Sequence, residues 1–91
     1  MDGAEAKSIL AKELAEFAFR PYDKLVLLID NPDVKNVGGY SGENYQIEFE
    51  VFWDSKPGGN LRIMASIDDG GWRAFMPITD SLIVKPDGTL L

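Results

Sequence analysis

A chain of 91 residues without a cysteine or a histidine is one domain with no disulfide staple and no thiolate metal site, and it lacks the commonest general base, metal ligand and neutral-pH switch. Nine basic against fifteen acidic residues give a net charge of −6, which argues against nucleic acid and an acidic membrane surface as partners. The 45% hydrophobic and 26% charged fractions suit a folded protein with a modest core, since a chain this short buries only roughly 60–65% of its unfolded surface.

No apolar run approaches the ~18 residues that a membrane span needs. The start, Met1-Asp2-Gly3-Ala4-Glu5, has neither the basic nor the apolar region of a signal peptide, so a cytoplasmic protein of bacterial type is expected. Residues 4–19 predict an amphipathic helix. Ala6, Leu10, Leu14, Phe17 and Ala18 recur at three- and four-residue spacing, Lys7, Lys12, Glu13 and Glu16 take the other face, and Glu5 suits the positive end of the helix dipole. Arg20-Pro21 interrupts it, because proline disfavours helical geometry in the residue before it. A second helix over about 21–29 follows, ending at Asn31-Pro32; the run Leu25-Val26-Leu27-Leu28-Ile29 also fits a buried strand.

Beyond Pro32 the period falls to two. A weak strand over 34–40 meets the turn Ser41-Gly42-Glu43-Asn44. Tyr45 to Val51 alternates strictly, and after the loop 55–60 so do residues 61–67. Asp68-Asp69-Gly70-Gly71 reads as a hairpin turn leading into a strand from Trp72 to Ile78. The tail, 79–91, holds Asp80-Ser81-Leu82-Ile83-Val84 and a Pro86-Asp87-Gly88 turn, and suits a helical turn or a short edge strand. Short loops force antiparallel neighbours, so the expected fold is α+β: two N-terminal helices packed on one face of a four-stranded antiparallel meander. This element order resembles the cystatin-like plan, a likeness of fold that carries no function.

With Asp69-Gly70 as a two-residue turn, Ile67 pairs with Trp72, Ala65 with Ala74 and Ile63 with Met76 on the core face, joined by Tyr45, Ile47, Phe49, Val51 and Trp53. The outer face then pairs Ser66 with Arg73 and Met64 with Phe75, and gathers Phe52, Met64 and Phe75 inside a rim of Glu48, Glu50, Arg62 and Arg73. An apolar centre with a charged rim is interface anatomy, and the commonest partner is a second copy. The bland alternative is an ordinary half-exposed face, or one that the tail covers.

Site chemistry is sparse. Asp68 and Asp69 are carboxylates beside Trp72 and Arg73, a possible small-ligand site or carboxylate-based active site; turn chemistry explains the aspartates equally. Asp54 lies at the far end of its strand, roughly 20 Å from that turn. No calcium-loop, P-loop or dinucleotide spacing is present, so neither metal nor cofactor is expected, and Gly38-Gly39-Tyr40-Ser41-Gly42 reads as a hairpin turn. Trp53, Trp72, Tyr40 and Tyr45 are candidates to line a small pocket, or plain core. Gly42-x-x-Tyr45, Trp53-Asp54, the run from Ser66 to Phe75 and Pro86-Asp87-Gly88 together resemble a small family of uncharacterised bacterial proteins over roughly residues 40–90. The resemblance implies no activity and assigns no residue a role. The reading is therefore a non-enzymatic module that associates with itself or with a protein partner through the outer sheet face.

Overall fold

The computed structural model describes residues 2–70 and 77–91. Helix α1 runs from Gly3 to Ala18. Asp2 caps it, accepting a hydrogen bond from the Glu5 N–H at 3.1 Å, one of the four donors that a helix start leaves unpaired. Its predicted apolar stripe, Ala6, Leu10, Leu14, Phe17 and Ala18, is buried, and the helix ends as expected ahead of Pro21.

Helix α2, Tyr22–Val26, is shorter than the expected 21–29. Two further turn bonds carry the chain to Ile29, which forms a parallel bridge with Val51, and Asp30 then takes a positive φ of 65°. The Asn31 side-chain amide donates to the Leu27 and Ile29 carbonyls and closes the segment. Each reading of 25–29 describes part of it: the segment starts helical and finishes as an extended bridge.

Four strands follow: β1 (Asp33–Gly38), β2 (Asn44–Trp53), β3 (Leu61–Asp68) and β4 (Ile78–Val84), an antiparallel meander in the order β1-β2-β3-β4. Both helices lie on one face, α1 chiefly over β3 and β4. The expected fold class is correct. Tyr45, Ile47, Phe49 and Val51 of β2 and Leu61, Ile63, Ala65 and Ile67 of β3 are all buried against the helices, and Phe17 stacks on Phe49 with ring centroids 4.3 Å apart.

The expected register of the last hairpin is overturned. Ile67 pairs with Ile78, Ala65 with Asp80, Met64 with Ser81 and Ile63 with Leu82. The fourth strand is thus 78–84, in the tail segment, for which a short edge strand is one of the two expected forms; residues 72–76 of the strand expected before it lie outside the described residues. Turn chemistry is present at the predicted place, since Asp68 accepts from the Gly70 N–H at 2.7 Å and Gly70 has a φ of 80°, but the strand that pairs with β3 begins at Ile78. Pro77 supplies the physical reason. A strand over 72–78 would carry this proline within its ladder, whereas in the observed register it stands immediately before β4, where its missing N–H breaks no pairing. The later strand also places Val84 in the core opposite Leu61.

After β4, Pro86-Asp87-Gly88 turns the chain as predicted. The Lys85 N–H donates to the Thr89 carbonyl, Leu90 bridges Val84, and the Leu91 N–H donates to Ile83. The tail therefore lies along the β4 edge and does not cross the outer face.

Candidate functional site

The outer face is built row by row from the ladder. One row holds Val34, Glu48, Ser66 and Thr79; the next Glu50, Met64 and Ser81; the next Phe52, Arg62 and Ile83. Phe52, Met64 and Ile83 are half-buried and make an apolar strip at one end of the face, interrupted by Arg62 between Phe52 and Ile83, while Val34 is exposed at the other end in the row of Glu48. Arg62 is held in place within the strip: its guanidinium donates to Asp54 at 3.1 Å and to the Ser81 hydroxyl at 3.2 Å.

The other end is acidic. Glu48 and Glu50 lie two apart on one strand and therefore on one side of the sheet. A hydrogen bond with Glu50 raises the Glu48 carboxyl above its ordinary value, and desolvation and the charges of Glu50 and Asp68 act in the same direction. Val34, Gln46, Glu48, Ser66, Asp68 and Pro77 line a cleft of 280 Å³ at this end.

Of the predicted interface residues, Phe52, Met64, Arg62, Glu48 and Glu50 stand together on this face; Phe75 and Arg73 lie outside the described residues. Met64 faces Ser81 across the ladder, not Phe75, and Ser66 faces Thr79, not Arg73. Ile83 belongs to the strip but was hidden while its segment was read as tail. Asp68 and Asp69 stand at the end of β3, Asp54 is at the opposite end with Arg62, and Trp72 is outside the described residues. The described members of the aromatic group do not gather into a pocket: Tyr40 is 94% exposed, while Tyr45 and Trp53 sit eight positions apart on β2. Among the described residues no group of three potential ligands could hold a metal ion, and no helix is long and apolar enough to cross a membrane.

A polar cluster on the helix side escaped the sequence reading. Glu5 is only 2% exposed. Its carboxylate accepts from the Tyr45 hydroxyl at 2.7 Å, the Ser41 hydroxyl at 2.6 Å and the Ser41 N–H at 3.0 Å. Gly39 makes room for it, since a Cβ there would overlap a Glu5 carboxylate oxygen and stand 2.9 Å from the Tyr45 ring. Asp2-x-x-Glu5 has the spacing of a capping box, whose glutamate would reach back to the cap; here it reaches across to the β1–β2 turn. Every donor facing it is satisfied, so the cluster reads as a structural pin.

The Tyr45 phenol is pushed up to about 12, first by burial and then by its bond to Glu5. Spectrophotometric titration should therefore show a tyrosine that ionises late, and Tyr45→Phe should delete that step. A titration complete by pH 11 would contradict the buried bond.

A second cleft, of 160 Å³, lies between α1 and β1. Its charges neutralise one another: Lys35 bonds Glu13 at 2.8 Å, and Arg20 lies 4.2 Å above the Phe17 ring and 3.5 Å from Asp33. No protein-family description matches the chain, and no curated protein or solved structure matches it. The outer face therefore stands on its own geometry as the candidate site.

Proposed function

We propose that this chain is a non-enzymatic association module that pairs with a second copy of itself through the outer face of the sheet. The observation that carries the reading is the strip of Phe52, Met64 and Ile83, with Arg62 set among them and held to Asp54, on a face that neither the helices nor the tail covers among the described residues. An apolar centre bordered by charge is the usual anatomy of an interface, and a two-fold pair uses one patch twice. A two-fold axis running across the strands sets the Arg62–Asp54 pair of one copy over the Glu48 and Glu50 end of the other, which keeps the two carboxylate pairs from facing each other as the strips come together.

Solution mass by light scattering over a concentration series tests this. Wild type should approach the mass of two chains, and Phe52→Glu should remain folded and monomeric. Truncating a central aromatic typically costs ~2 kcal/mol, roughly a 30-fold loss of affinity, and burying a charge costs more. A wild type that is monomeric at every concentration, or a dimer indifferent to Phe52→Glu, overturns the reading.

A further inference from the structure

The tail shows that the β4 edge accepts an added antiparallel strand: the Lys85 N–H bonds to Thr89 and the Ile83 carbonyl receives the Leu91 N–H. Backbone groups in an antiparallel strand alternate between its two neighbours. If residues 83 and 85 face the tail, residues 81 and 79 present their N–H and carbonyl groups to the same edge. Among the described residues no other strand pairs there. Such a row is a template for another chain, and natural sheets protect it.

One residue stands against that template. Asp80 lies between these two positions, its side chain exposed on the helix side opposite Ala65. Its carboxylate bends back to accept the Ser81 N–H at 2.8 Å. This takes up a donor that an incoming strand needs and holds a charge at the place that strand would occupy. The Ser81 hydroxyl is engaged separately, by Arg62 on the outer face. An added strand would have to displace the carboxylate from the N–H and strip it of water, and burying an unpaired charge is costly.

We propose that Asp80 is an edge guard, which closes β4 to strand pairing with the same edge of a second copy. The site is distinct from the outer face, and its test is run in the Phe52→Glu background so that association across that face cannot stand in for it. Asp80→Ala should begin to self-associate at a concentration at least tenfold below that of its parent, with circular dichroism confirming the native fold. Asp80→Asn, which keeps an acceptor but loses the charge, should fall between the two. Adding Thr79→Pro to Asp80→Ala removes an edge-facing N–H without touching the β3 ladder, and should restore the parent's mass. A folded Asp80→Ala protein with the parent's mass at every concentration overturns the proposal, as does association that survives Thr79→Pro. If the alanine variant fails to fold, Asp80→Asn decides alone by the same comparison.

Discussion

Glu5→Ala lowers the thermal midpoint by on the order of 10 °C at neutral pH, one of two large effects expected from single side chains on the helix side. The replacement leaves the Tyr45 hydroxyl, the Ser41 hydroxyl and the Ser41 N–H without their acceptor beneath α1, and unsatisfied polar groups cost more than the bonds they had contributed. Gly39→Ala should act in the same direction by a different route, because its methyl group would occupy space held by the anchored carboxylate and the Tyr45 ring. Acid unfolding separates charge from packing. The Ser41 hydroxyl, the Tyr45 hydroxyl and the Ser41 N–H, in that order of strength with burial opposing between the last two, hold the Glu5 carboxyl below its ordinary value of 4.5. A lowered carboxyl contributes fully above its unfolded value, and the contribution is lost as pH falls through the folded one. The gap in stability between wild type and Glu5→Gln should therefore be widest near neutrality and narrow below about pH 4.5. A gap that is constant down to pH 2 would show that the anionic form is not what holds the turn.

Phe17→Ala should cost about 3–5 kcal/mol in urea unfolding, the range found for buried phenylalanines. The side chain is 4% exposed, stacks on Phe49 with rings 6° from parallel, and supports the Arg20 guanidinium on its other side. The substitution opens a void between α1 and β2 and removes the ring from beneath Arg20. Phe17→Leu, which refills most of the volume, should recover more than half of the loss. A cost below 1 kcal/mol for the alanine variant would mean that α1 settles into the space, and that the stack does little to fix the helix on the sheet.

Elements whose side chains repeat regularly were legible in the residues. The stripe from Ala6 to Ala18 and the alternation of 45–51 and 61–67 place α1, β2 and β3, and they identify the buried face of each, because burial itself imposes those periods. The fourth strand was misplaced where two local signals competed. Asp69-Gly70 spoke for a tight hairpin, Pro77 spoke against a ladder through it, and the core's gain from burying Val84 decided the matter over a distance of more than twenty residues. That single shift accounts for the predicted partners of Met64 and Ser66 and for the omission of Ile83 from the outer strip. Glu5 was illegible for another reason. At the third position of a capped helix it has an adequate local explanation, and its actual partners, Ser41 and Tyr45, lie 36 and 40 residues away.

The packing of α1 on β3 and β4 has a consequence in time as well as in space. The first element of the chain rests on the last strand, so on a ribosome the helix is complete long before its seat exists. The β1–β2 and β2–β3 hairpins join neighbours in sequence and can form early, whereas closing residues 3–18 onto 78–84 spans nearly the whole chain and is the slow kind of contact. Until then Leu10, Leu14 and Phe17 lack the β3–β4 half of their seat in the nascent protein, and a helix made before β4 waits for it.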